Sequence, residues 1–134
     1  MKYTEAKILK LLVDFFQEDY RRINHAIRVL SYAKEIMNHK EKGDEDIIIA
    51  CALLHDIGIK PSEEKLGYNN GKTQEEFGPP IAENLLKKID FPSEKIRKVK
   101  EIIGNHHSLS KYDYIELEII KEADKIVNIK ETQV

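Results

Sequence analysis

The chain has 134 residues, 41% of them hydrophobic and 34% charged, with a formal net charge of -2. That balance fits one folded, surface-charged domain with a single core, and it lacks the basic field that would invite DNA or RNA. The one cysteine, Cys51, excludes a disulfide framework and a cysteine-rich zinc site, and no apolar stretch approaches a membrane span. Neither a nucleic-acid nor a membrane partner is therefore expected. Acids and lysines scattered between Met1 and Glu5 are unlike a signal peptide, so a reducing cytoplasm is the expected location.

The hydrophobic period is helical almost throughout. Ile8, Leu11, Leu12, Phe15 and Phe16 form the stripe of a first helix, with Thr4 as its expected cap. A second helix runs from about Arg21 or Asn24 to His39. Its stripe of Ile23, Ile27, Leu30, Ala33 and Met37 is widened by Val29, Tyr32 and Ile36. Gly43 and Asp44 break the chain. A third helix follows from about Glu45 to Asp56. Its centre, Ile47 to Leu54 with Cys51 inside it, is apolar nearly all round and belongs at the middle of a bundle. Gly58 and Pro61 read as its end, and the stretch to about Gly78, with Gly67, Asn69, Asn70 and Gly71, reads as a long loop. Pro79 and Pro80 suit the first turn of a helix to about Ile89. Pro92 and Ser93 start another, reaching His106 or His107. Asp113 and Glu116 match a capping box for a last helix through Leu117, Ile120, Ala123 and Val127, and the polar tail after Lys130 is expected to fray. The expectation is an all-α, compact, single-domain bundle of about six helices over residues 1–134.

The informative positions are ionisable residues on apolar faces. His25 lies in the second helix one turn before Val29, His55-Asp56 closes the most apolar helix, and Asp124 sits between Ile120 and Val127. Taken singly, each has an ordinary explanation: a hydrogen-bonded core histidine, a helix-end carboxylate, a buried partner for an arginine. Buried charges are normally paired or bound to metal. Together, two neutral imidazoles and two carboxylates neutralise one divalent cation. Mixed nitrogen and oxygen donors suit Mn, Fe, Co, Ni or Zn better than calcium. Four ligands leave open positions on an octahedral ion, which catalysis needs.

Three strings carry a family resemblance: HAIRVL at His25 to Leu30, ALLHDIG at Ala52 to Gly58, and EADKI at Glu122 to Ile126. In that order and spacing the chain resembles the HD domain superfamily of metal-dependent phosphohydrolases, whose fold is all-helical. The resemblance implies His25, His55, Asp56 and Asp124 as ligands of a divalent metal, one per chain, with Asp56 also orienting water. Some members place two more histidines between the His-Asp pair and the last aspartate. IIGNHH resembles the segment of the second, which makes His106 the candidate and His107 its rival. The first falls near Gln74, where this chain has no histidine; Glu75 or Glu76 is the alternative oxygen ligand. For His106 three roles stay open: second-metal ligand, phosphate donor and plain helix-end histidine.

Cations must also meet the phosphate. Arg21, His25 and Arg28 share one helical face by spacing, so either arginine can reach it. Lys60 follows the His-Asp turn near the position where some relatives carry a phosphate-binding lysine. Arg28 and Lys60 are the expected phosphate contacts, and the loop carrying Gly67, Asn69, Asn70, Gly71 and Lys72 is expected to cover the site. The function these residues suggest is a metal-dependent phosphohydrolase, a phosphomonoesterase or phosphodiesterase acting on a nucleotide-like or other small phosphorylated molecule. The alternatives are a dinuclear-iron oxygenase of the same superfamily and a nucleotide-binding regulatory module without turnover.

Overall fold

Ile47 to Leu54 are all buried, and the helix they form has no polar face to give to water. The rest of the chain is arranged around it. A computed structural model describes residues 2–109 and 112–133, and these form helices and turns alone. In chain order the helices are α1 (Tyr3–Phe16), α2 (Tyr20–Lys40), α3 (Glu45–Leu54), α4 (Ile59–Leu66), α5 (Gly71–Lys87), α6 (Ser93–Ile103) and α7 (Ile115–Thr132). α3 packs against α1, α2, α6 and α7; α2 packs on α7, and α5 packs on α4 and α6. The stripes of Ile8, Leu12 and Phe16, of Ile23, Val29, Leu30 and Ala33, and of Ile119, Ile120, Ala123 and Val127 all join one core. Cys51 is fully buried there as a small apolar residue.

The all-helical architecture is as expected, with one helix more than the six anticipated. The stretch read as a long loop is mostly helix. Pro61 lies in the first turn of α4, where a missing N–H costs nothing, and Gly67 ends that helix at φ +79°. α5 then begins two turns before the prolines. Asn70 and Thr73 form a reciprocal capping box, each side chain accepting from the other's backbone N–H. Pro79 and Pro80 therefore stand inside α5 and not at its start.

At the other end, Asp113 does not cap α7. Its N-cap is Tyr114, without a side-chain bond, and Glu116 turns inward to Lys98 and the backbone N–H of Asp44. α1 likewise starts at Tyr3 with no side-chain cap, so Thr4 lies inside it. The tail after Lys130 stays helical through Thr132.

One close approach positions the end of α3. A Cβ on Gly58 would stand 2.6 Å from the Gln74 carbonyl oxygen and 2.8 Å from the Gly78 nitrogen; one on Gly78 would stand 2.9 Å from Ile103. Glycine at 58 is required for space, since its φ of -74° is open to any residue. The His55-Asp56 turn is thereby pressed against α5.

Candidate metal centre

Four elements bring their ionisable residues to one end of the bundle. His55 is the C-cap of α3 and Asp56 follows in the turn, while His25 comes from the second turn of α2 and Asp124 from the middle of α7. His25 Nε2 lies 3.0 Å from Asp124 Oδ1 and 3.4 Å from Asp56 Oδ2. His55 Nε2 lies 3.3 Å and 3.4 Å from the same two oxygens. Donors around an ion at about 2.0–2.2 Å are spaced about 3.0–3.5 Å apart, so these separations match the edges of a coordination polyhedron.

Hydrogen bonding settles which atoms are offered. His55 Nδ1–H donates to the Ala52 carbonyl at 2.8 Å, and His106 Nδ1–H to the Ile103 carbonyl at 2.6 Å. A carbonyl only accepts, so Nδ1 keeps its proton, and in the neutral imidazole that a metal ion requires Nε2 holds the lone pair. Both Nε2 atoms are buried and in hydrogen-bond geometry with nothing. Leaving such an atom unsatisfied costs about 1–3 kcal/mol. A divalent cation would satisfy His55 Nε2, and the nitrogen and carboxylate donors around it suit that ion. His25 Nδ1 faces both Glu131 oxygens at 3.1 Å, the carboxylate–histidine arrangement that orients a ligand imidazole.

The electrostatics favour positive charge in this cage. Burial alone would lower His55, yet the carboxylates of Asp56 and Asp124 outweigh it and raise it to about 9. His25 is raised against its own burial by Asp124, Asp56 and Glu131. Burial would raise Asp56, but His55 and His106 hold it down to about 2; Asp124 is held well below the usual carboxylate range by His25 and His55. A field that holds protons on imidazoles will also hold a metal cation in their place.

The site opens into a cavity of about 280 Å³ lined by Arg21, Arg22, His25, Asp56, Ile59, Gln74, His107, Asp124, Asn128 and Glu131. Asp124, Asn128 and Glu131 share one face of α7 at i, i+4 and i+7. That spacing was visible in the sequence, but the expected fraying of the tail hid Glu131.

The expected phosphate cations do not line this cavity. Lys60 Nζ donates to the Phe15 carbonyl at 3.2 Å and sits over the Phe15 ring. Arg28 lies 3.6 Å from Glu131. The Arg28 side chain is long enough to leave the helical face that its Cα shares with His25. Arg21 lines the cavity and has no partner among the described residues, whereas Arg22 is bonded to Asp19 and lies near Glu63.

Glu75 is also spent elsewhere. Its carboxylate accepts from the backbone N–H of His107 and of Ser108 at 2.9 Å each, so it serves the turn after α6 and is not turned to a metal. Glu76 is exposed. His106 is buried, with Nε2 3.8 Å from Asp56 Oδ1. Nitrogens of His106 and His107 and an Asp56 oxygen lie within 4.8 Å of one another. His39 is exposed.

A family model for the HD domain matches residues 22–129. Among solved structures, the chain is similar to a crystal structure from an uncultured Thermotogales bacterium, described as a predicted HD superfamily hydrolase. The two are 28% identical with a TM-score of 0.72, and the match covers 95% of this chain and 72% of that one. Nothing among curated proteins matches. No helix among the described residues is long and apolar enough to cross a membrane.

Proposed function

The chain belongs to the HD domain family, and from that premise we propose that it is a metal-dependent phosphohydrolase that cleaves the phosphate ester of a small molecule. One observation carries this reading most directly: the buried Nε2 of His55, which makes no hydrogen bond and stands 3.3 Å and 3.4 Å from two carboxylates. His25, His55, Asp56 and Asp124 would hold the cation, one per chain. A divalent cation there supplies Lewis acidity toward phosphoryl oxygens and makes water acidic enough to attack near neutral pH.

The remaining work falls to side chains of this protein. Asp56 turns Oδ2 to His25 and His55, which leaves Oδ1 to orient the attacking water. Glu131 keeps the proton of His25 on Nδ1 and its Nε2 toward the site. Arg21, unpaired at the cavity wall, takes the phosphate role first expected of Arg28 and Lys60, by charge-assisted hydrogen bonds.

A second reading, a dinuclear centre of the kind an oxygenase needs, is favoured by His106 Nε2, which is equally buried and unpartnered beside Asp56 Oδ1. Elemental analysis of wild type and His55→Ala, followed by a phosphate-ester screen with the bound metal, tests both. One metal per chain, lost in the variant, with metal-dependent release of phosphate, is the expected result. Nearly two metals with oxygen uptake would favour the oxygenase. Tight nucleotide binding without product would favour a regulatory module. No metal in either protein would overturn the catalytic reading.

A further inference from the structure

Beside the cation's ligands, four side chains form one line of hydrogen bonds. Asn69 Nδ2 donates to Glu63 Oε2 at 2.9 Å, and Gln74 Nε2 donates to Asn69 Oδ1 at 2.8 Å. Gln74 Oε1 lies 2.5 Å from His107 Nε2. The direction of the whole line is set at one end. A carboxylate has no proton to give, so Asn69 must turn its NH2 toward Glu63 and its oxygen toward Gln74. Gln74 must then turn its own NH2 to Asn69 and its oxygen to His107. The only role left for His107 Nε2 is that of donor, which leaves the lone pair on Nδ1.

Other contacts hold the line still. Arg22 Nη2 lies 3.5 Å from the second oxygen of Glu63. Glu75 accepts from the backbone N–H of His107. Gly71 makes room for the ring, since a Cβ there would stand 2.9 Å from His107 Cβ. Gln74 is itself buried, with 8% of its surface exposed.

The chemistry of the cavity gives this arrangement a use. His107, Gln74 and Arg21 all line it. Phosphate oxygens only accept, so a neutral imidazole whose proton is committed to Gln74 offers them nothing. What Nδ1 can do toward such a substrate is accept a hydrogen bond from a hydroxyl group. Resting on the phosphohydrolase reading for its substrate, we propose that Glu63, Asn69 and Gln74 are positioning residues. They hold the His107 proton on Nε2 and so present Nδ1 as an acceptor to a hydroxyl group of the substrate. The substrate class is then a phosphate ester of a hydroxylated small molecule, its phosphate toward Arg21 and its hydroxyl toward His107.

The test uses the full chain loaded with zinc. Long-range proton–nitrogen NMR correlations read the tautomer of each histidine without substrate. Wild type is expected to show His107 protonated on Nε2. Gln74→Leu should show a mixture of tautomers, and Gln74→Glu, which still accepts from Nε2–H, should restore the wild-type signature. Unchanged His25 and His55 signals verify the fold of each variant. Kinetics then compare glycerol 3-phosphate with propyl phosphate, the same ester without hydroxyls. Gln74→Leu should raise KM for the first about fivefold, the worth of one neutral hydrogen bond, and leave the second within about twofold. A proton on Nδ1 in wild type, or a wild-type tautomer in Gln74→Leu, overturns the relay. Equal changes in KM for the two esters overturn the acceptor role. If wild type cleaves neither ester while the tautomers behave as expected, the relay stands and the phosphohydrolase reading is the one that fails.

Discussion

The two sides of Asp56 are built on different principles. On the Oδ2 side stand His25, His55 and Asp124, carried by α2, the end of α3 and α7, which pack against one another. Each imidazole there is anchored through Nδ1, and the Nε2 atoms converge on shared oxygens. On the Oδ1 side stand His106 and His107, carried by the segment after α6 and faced by the first turn of α5. On that side the protein answers several of its own polar atoms: Glu75 serves the turn at 107 and 108 and Gln74 takes His107 Nε2, while the buried His106 Nε2 goes unanswered. Each side keeps one buried imidazole nitrogen without a hydrogen bond, His55 Nε2 on the first and His106 Nε2 on the second, at a cost of about 1–3 kcal/mol each. On the first, a cation shared with the two carboxylates would remove that cost; on the second, an amide and a carboxylate already hold the neighbouring groups in place. Converging donors are poised for a cation, whereas a hydrogen-bonded network is poised to orient a side chain.

The contrast breaks most directly at the proposed ligands. Asp56→Ala and His55→Ala should each weaken metal binding more than about 100-fold, beyond what loss of an outer partner costs. His106→Ala should keep the metal. Titration with Mn or Zn measures both, and equal loss in all three would merge the two sides into one site.

A second expectation concerns stability. Metal at about 100 times its Kd should stabilise the protein by about 2.7 kcal/mol in thermal melts. His55→Ala should lose that gain, while Gln74→Leu should retain it. Glu131→Ala, which removes the partner of His25, should cost roughly 10–100-fold in metal affinity by the same titration. A smaller effect would mean that His25 is oriented by helix packing alone.

Further from the cation, Arg21→Ala should raise KM for a phosphate ester and weaken inhibition by inorganic phosphate about tenfold, the scale of one charge-assisted hydrogen bond. Arg28→Ala and Lys60→Ala should change either by no more than about twofold, the range of an exposed ion pair. The reverse pattern in steady-state kinetics would return the phosphate to the face first expected.

The smallest effect uses a buried carboxylate whose partners are all protein. Burial would raise Glu116, but Lys98 and the Asp44 N–H outweigh it and leave its pKa lowered. The folded state then binds fewer protons than the unfolded one. Its contribution is therefore present above the ordinary glutamate value of 4.5 and is lost as pH falls through the folded pKa. Acid titration of the metal-free protein should show a shallower loss of stability over that range in Glu116→Gln.

Much of the site was legible because ionisable residues on apolar stripes have few ways to be buried. His25, His55, Asp56 and Asp124 stood out for that reason, and the fold brings them together. Lys60 and Arg28 misled because spacing locates a Cα, while the direction of a long side chain depends on what it meets. Lys60 meets the Phe15 carbonyl, and Arg28 meets Glu131. The supposed loop misled because Gly, Asn and Pro were read as breakers. In place, Asn70 caps, Gly67 terminates, and Pro61 occupies a first turn. The Asn70–Thr73 pair was a readable signal for the true start of α5.

By itself the sequence determined the helical class, the interior place of Ile47 to Leu54 and the cluster of residues that burial would otherwise penalise. Those follow from periodicity and from the cost of desolvating charge, which are properties of each segment alone. Only the tertiary structure decided which cation faces the cavity, that Glu131 orients His25, and on which nitrogen His107 keeps its proton. Those depend on side-chain directions and on hydrogen bonds between elements far apart in the chain, such as the line from Glu63 to His107, whose polarity is set by a carboxylate 44 positions from the imidazole it governs.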